Sequence, residues 1–144
     1  MNVILSIHPK WAKLIYDGKK TVEWRKSQPM YNKFEFHQID KVYLYETGPI
    51  CRVTGIIVKP SFRVVDVNKW FEHDKQCLDF LERGCVPVED LLKYQGDKAY
   101  IYAWLFSENR KFDTPRTLEE FNLNRPPQSW CYTEINDMET AFLR

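Results

Sequence analysis

Gly18-Lys19-Lys20-Thr21-Val22-Glu23-Trp24-Arg25 sets a lysine, a glutamate and an arginine within six residues, directly after a short amphipathic segment. Side chains alternate between the two faces of a β-strand, so Val22 and Trp24 share one face while Thr21, Glu23 and Arg25 share the other. The apolar face seals against a core and the polar face presents a packed group of charges. Charges concentrated in this way on a sheet interior are expected to line a cleft that takes a ligand.

Upstream, Asn2-Val3-Ile4-Leu5-Ser6-Ile7 reads as a short apolar strand. Pro9 stands where a first helical residue tolerates proline, and Trp11, Leu14 and Ile15 recur at helical spacing. Gly18 is placed to end that helix of about nine residues. Downstream, residues 26–40 read as loop. Lys41–Glu46 and Ile50–Val58 read as strands around the turn Thr47-Gly48-Pro49. Phe62–Val65 is expected to continue the same sheet after a break at Pro60. Asn68 is positioned to cap a helix reaching Arg83, with Trp70, Phe71, Cys77, Leu78 and Leu81 inward and Gly84 as its stop. The segment 88–94 reads as a short helix after Pro87, and Ala99–Phe106 as a strand. Pro115, Pro126 and Pro127 mark a long loop region, Ser129–Ile135 a final strand, and the last nine residues a terminal helix or tail.

Strands interrupted by helices without regular βαβ spacing predict an α+β fold, a small mixed barrel with peripheral helices. At 144 residues, with neither repeats nor a linker, the chain is expected to form a single domain over 1–144. The apolar fraction of 44% and aromatic fraction of 15% exclude a disordered chain and predict a core rich in rings. The net charge of +1 argues against indiscriminate duplex binding. Charge is nonetheless unevenly spread. Residues 1–26 carry six bases (Lys10, Lys13, Lys19, Lys20, Arg25, Lys26) against two acids, whereas residues 66–90 carry seven acids against three bases.

No apolar run approaches the ~20 residues of a membrane span, and no secretory signal pattern opens the chain. Cys51, Cys77, Cys85 and Cys131 form neither a CxxC pair nor a dense framework, so reduced thiols and a cytoplasmic setting without membrane attachment are expected.

The pattern Gly-x-Lys-x-x-Glu-x-Arg (Gly18, Lys20, Glu23, Arg25) resembles the signature of the ASCH domain, a member of the PUA-like superfamily of small mixed β-barrels. Leu5-Ser6-Ile7-His8-Pro9 before the first helix is also similar to that family. So are Tyr43-Leu44-Tyr45-Glu46-Thr47 with Ile50-Cys51-Arg52-Val53-Thr54-Gly55, which look like its central hairpin, and the closing Arg125-Pro126-Pro127-Gln128-Ser129-Trp130-Cys131-Tyr132. The resemblance implies a cleft near the signature suited to RNA or a modified nucleoside or nucleotide, with no cofactor and no metal. Some small bacterial relatives resemble N4-acetylcytidine amidohydrolases, and others have been assigned ribonuclease activity. In the amidohydrolase-like members a lysine of the signature assists a threonine three residues later. Here Lys20 holds the lysine position and Glu23 the nucleophile position, and a carboxylate does not replace a hydroxyl that forms an ester.

Independently of the resemblance, Lys20 and Arg25 are suited to phosphate or carbonyl oxygens, Arg25 through a planar fork. Glu23 is suited to accept from a base amino group, and Thr21 is grouped with these three as a ligand contact. If the protein is an enzyme, Lys20 and Glu23 are the candidates for general base or electrostatic stabiliser. Trp11, Trp24, Tyr31 and Phe34 are candidate stacking faces. The competing reading is an internal Glu23–Arg25 pair that closes one end of the barrel, with Lys20 solvated and the aromatics in the core. His8 is expected either at the same cleft or as a cap. His73 and Cys77, four apart, are too few for a metal site. The Arg125–Gln128 segment is expected either to shape the cleft or to serve as a rigid connecting loop.

Overall fold

The computed structural model describes residues 1–29, 39–70 and 73–134. The first strand, β1 (Asn2–Ile7), occupies the interior of a five-stranded sheet, with Val3, Ile4, Leu5 and Ile7 all buried. Apolar residues on both faces suit a strand covered on both sides. Helix α1 (Pro9–Tyr16) follows with proline in its first turn, and Gly18 adopts φ +78° just beyond its end. Strand β2 (Val22–Arg25) then belongs to a second sheet.

The chain returns as β3 (Lys41–Glu46), parallel to β1 with Asn2 opposite Lys41 and Ile7 opposite Glu46. Strand β4 (Arg52–Val58) pairs antiparallel with β3, and the register shifts between Leu44 and Tyr45. A Cβ on Gly55 would collide with the Arg110 carbonyl and lie 2.6 Å from the Tyr16 hydroxyl, so glycine is what lets the neighbouring strand and α1 close on this point.

Strand β5 (Ser61–Val65) leaves that sheet and joins the second one, a correction to the expected continuation. The expected helix from Asn68 to Arg83 is two: α2 (Val67–Trp70) and α3 (Lys75–Gly84). Asp74, not Asn68, is the effective cap, its carboxylate accepting from the Gln76 and Cys77 amides. Restarting at Asp74 rotates the buried stripe onto Cys77 and Phe80 and leaves Trp70 and Leu78 exposed. Cys85, in the left-handed conformation, ends α3. Helix α4 (Val88–Gln95) precedes β6 (Ile101–Leu105).

Strand β7 (Glu108–Arg116) lies where loop was expected. It is an edge strand, mostly exposed and polar, and it accommodates Pro115 because one of its sides has no partner to satisfy. A single 3-10 turn (Leu118–Phe121) leads on to β8 (Trp130–Thr133), which pairs antiparallel with β1. The orders are β7-β4-β3-β1-β8 and β2-β6-β5. Among the described residues the strands thus form two sheets in a mixed α+β fold and do not close into the expected barrel. The final helix or tail, Tyr31, Phe34, Phe71 and most of the 26–40 loop lie outside the described residues.

The two sheets share a core in which Val3, Leu5 and Ile7 meet Ile15, Trp104 and Phe106. A second core, with Val22, Trp24, Val65, Phe80, Leu91 and Ile101, lies between β2-β6-β5 and helices α3 and α4. β2 therefore uses its apolar face as the alternation requires and turns Glu23 and Arg25 toward the end of β1.

Candidate functional site

A cavity of about 440 Å³ opens where the end of β1 faces β2. Ser6 and His8 line it from the end of β1 and the residue after it, Glu23 and Arg25 from β2, and Trp11 and Tyr94 line it from α1 and α4. Arg25 is fixed by three contacts. One guanidinium nitrogen donates to the Ser129 hydroxyl (3.2 Å), and the other to the Ser6 carbonyl (2.8 Å) and Glu23 Oε2 (2.9 Å). The guanidinium thereby ties both sheets to the segment preceding β8. Ser6 completes the tie, its hydroxyl donating to the Pro127 carbonyl at 2.6 Å.

Glu23 is held from both ends. Its Oε1 lies 3.4 Å from the Lys20 ammonium and also accepts from the Trp24 amide at 3.2 Å. Burial works to raise the Glu23 carboxyl, but the charges of Arg25 and Lys20 and their hydrogen bonds outweigh it and hold the group below its ordinary value of 4.5. The site thus presents an ionised carboxylate beside a guanidinium whose donors are already aimed.

The structure brings the expected residues into one neighbourhood but places them at different depths. Glu23 and Arg25 stand on the cavity wall. Lys20 lies behind that wall, fully enclosed, where its ammonium donates to the Gly84 carbonyl and rests 5.1 Å from the centre of the Trp11 ring. Thr21 turns away, its hydroxyl accepting from Arg83 Nε at 2.9 Å. Trp11 is partly buried and Trp24 almost wholly so, yet both border the cavity. His8 lines it too and precedes α1, with its Nδ1 3.2 Å from the Thr47 hydroxyl. Gln128 reaches the cavity from the proline-rich segment.

Three contributors were not singled out from sequence: Ser6, Tyr94 and Ser129. Ser129 comes from the far end of the chain, and only the pairing of β8 with β1 brings it to Arg25. Tyr94 sits on α4 with the Lys26 ammonium 4.8 Å from its ring centre. Burial raises its phenol above the ordinary value; Arg25 opposes this and Glu23 adds to it.

Cys77, weighed with His73 as a metal pair, is buried, and desolvation followed by the nearby Asp74 and Asp66 pushes its thiol up to about 11. No group of three or more histidine, cysteine, aspartate or glutamate side chains is arranged to hold a metal among the described residues.

Comparison with known proteins bears on the fold. ASCH from Zymomonas mobilis superposes with a TM-score of 0.74 at 22% identity, over 97% of this chain and 91% of that one. A serine-to-alanine variant of it gives 0.75, over 99% and 93%. A tyrosine-to-phenylalanine variant gives 0.74, over 99% and 95%. At that identity the likeness concerns the fold. A curated protein from Ureaplasma parvum serovar 3, named ATP synthase subunit alpha, is 25% identical over 131 residues, which is 91% of this chain. The chain spans only 15% of that protein's length. The family model described as the ASCH domain matches residues 5–119, which takes in the end of β1, the Gly18–Arg25 stretch and β2 through β7. The chain belongs to the ASCH-domain family.

Proposed function

We propose that the protein is a binding module for RNA or a nucleotide-like ligand, held in the cleft between β1 and β2. The observation that supports this best is the Glu23–Arg25 pair on the wall of a 440 Å³ cavity. Arg25 is pre-aimed by Ser6 and Ser129, so it meets a phosphate or carbonyl oxygen with little ordering cost. Glu23 accepts from a base amino edge. Trp11 and Tyr94 offer ring faces, the combination that single-stranded RNA readers use. In this reading Lys20 is a positioning residue that keeps Glu23 ionised and in place, and Thr21 supports it through Arg83. The two sheets act as the walls of a PUA-like cleft, and the four unpaired cysteines suit a cytoplasmic setting. No helix among the described residues is long and apolar enough to cross a membrane.

The test is a fluorescence-anisotropy titration with short single-stranded RNA at two salt concentrations, beside an Arg25→Ala variant whose fold is checked by circular dichroism. Saturable binding lost in the folded variant supports the module. Absence of binding by the wild type removes it.

A second reading, hydrolysis of a modified nucleoside or of RNA, draws on the enclosed Lys20–Glu23 contact at 3.4 Å. A buried ammonium beside a carboxylate is a recognised arrangement for proton transfer. Turnover of an N4-acylated cytidine or an RNA that Lys20→Ala abolishes is its signature. Failure across a panel of such substrates eliminates it.

A further inference from the structure

A second cavity, about 590 Å³, lies on the other side of α1, between that helix and the β3–β7 part of the large sheet. Its distinguishing group is Glu46, at the end of β3. Glu46 is only 8% exposed, yet none of the described residues gives its carboxylate a hydrogen bond or ion pair. Its oxygens are not among the enclosed unpartnered atoms of the described residues, so they open to the cavity, where they are set to receive donors from a ligand.

Around it stand Lys13 and Lys111, at the cavity edge, and Asn109. Lys13 is paired with Asp17 at 2.9 Å, the other acid lining this cavity, and Lys111 rests 5.6 Å from the Tyr16 ring centre, its ammonium in no ion pair among the described residues. The Asn109 amide donates to the Ile15 carbonyl, which leaves its own oxygen as an acceptor. Tyr16 also lines the cavity, its hydroxyl 2.7 Å from that of Thr54. Burial raises the Tyr16 phenol; the hydrogen bond with Thr54 opposes this and Glu46 adds to the rise.

This cavity adjoins the cleft. His8 and Thr47 line the cleft, while the next residue, Pro9, and the preceding one, Glu46, line the second cavity, so the His8–Thr47 contact is the divide. We infer that the Glu46 cavity is a second nucleotide subsite for guanine, occupied by a neighbouring nucleotide of the strand whose other part lies in the cleft. A carboxylate with two free oxygens matches the paired N1–H and N2–H donors of guanine; adenine offers one donor beside an acceptor on the corresponding edge. The 5′-phosphate is matched by Lys111 and Lys13. The inference rests on the RNA reading only for its link to the cleft, because a mononucleotide probes the subsite directly.

The experiment is an amide NMR titration of the whole protein with GMP and, separately, IMP, which lacks the N2 amino group. GMP should shift Lys13, Tyr16, Asn109 and Lys111 and bind about tenfold more tightly than IMP, the effect of one hydrogen bond to a charged acceptor. Glu46→Gln should erase that preference, and Lys111→Glu, at an exposed position, should weaken both nucleotides while leaving the spectrum folded. Arg25→Ala should leave the GMP titration at these residues unchanged. Equal binding of GMP and IMP, or no shift at these residues, overturns the guanine subsite whatever the RNA result. Loss of short-RNA binding by neither Arg25→Ala nor Glu46→Gln, with the GMP preference intact, removes the cleft reading and the link while the guanine site itself stands.

Discussion

Arg25 Nη2 and Glu23 Oε2 lie 2.9 Å apart on alternate positions of one strand, and both residues are almost enclosed. Two residues on the same face of a strand that neutralise each other leave neither charge for Lys20, yet Glu23 reaches Lys20 with its second oxygen. The acid is therefore the shared member of a three-charge network. Removing the shared member strands two cations, whereas removing Lys20 leaves an intact pair. Glu23→Gln should accordingly lower unfolding free energy by about 3 kcal/mol or more, and Lys20→Met, which keeps the stem's volume, by distinctly less. Urea denaturation of the two variants beside the wild type checks this, and the opposite order would show that Lys20 is the anchor.

Arg25 separates the proposed binding role from the structural one. Arg25→Lys retains a charge near Glu23 but cannot reach Ser129, the Ser6 carbonyl and Glu23 together, since an ammonium lacks the planar fork. Affinity for short single-stranded RNA should fall about tenfold, equivalent to ~1.4 kcal/mol. The variant should melt cooperatively, close to wild type. An affinity unchanged within error, with a large loss of stability, would make the guanidinium a purely internal tie.

Acid should weaken this network in a defined window. The Glu23 carboxyl is held below 4.5 in the folded chain, so the unfolded chain binds its proton first as pH falls. The stabilisation is complete above about 4.5 and is lost progressively below it, through the folded value. Glu23→Gln cannot titrate here. The stability gap between wild type and that variant should be constant from neutral pH down to about 5 and narrow below it. A gap that stays constant to pH 3 would contradict the ion-pair account.

Much of this is legible in the sequence alone. The alternation of Val22 and Trp24 against Glu23 and Arg25 fixes which face of β2 meets the core, and it holds. So do α1, whose apolar residues recur at helical spacing, and β1 and β3, whose apolar runs are nearly continuous. What failed did so where local pattern competes with long-range pairing. The break between α2 and α3 turns on Asp74, one of several capping candidates in an acidic stretch. β7 lacks an apolar signal because it is an edge. The depth of Lys20 was hidden because its partner, the Gly84 carbonyl, lies 64 residues away on α3. Ser129, likewise, is a site residue only through the β1–β8 pairing.

Gly84 is the remaining residue on which the site depends, and its replacement distinguishes close packing from backbone freedom. A Cβ there would stand 2.5 Å from Trp24 Nε1 and 3.1 Å from its Cδ1. Trp24 is 5% exposed, and its indole N–H has no acceptor among the described residues. Alanine gains up to about 1 kcal/mol in helix propensity over glycine, but overpacking a rigid ring costs about 1–3 kcal/mol, so the clash should win. The Gly84 carbonyl that holds Lys20 would shift with it, and RNA affinity should fall as well. Gly18→Ala supplies the contrast: it meets open space, and only its φ of +78° resists, at about 1 kcal/mol. Gly18→Ala should leave tryptophan fluorescence and RNA binding unchanged, whereas Gly84→Ala alters both. Equal effects of the two substitutions would mean that Gly84 is kept for its backbone and not for the tryptophan pressed against it.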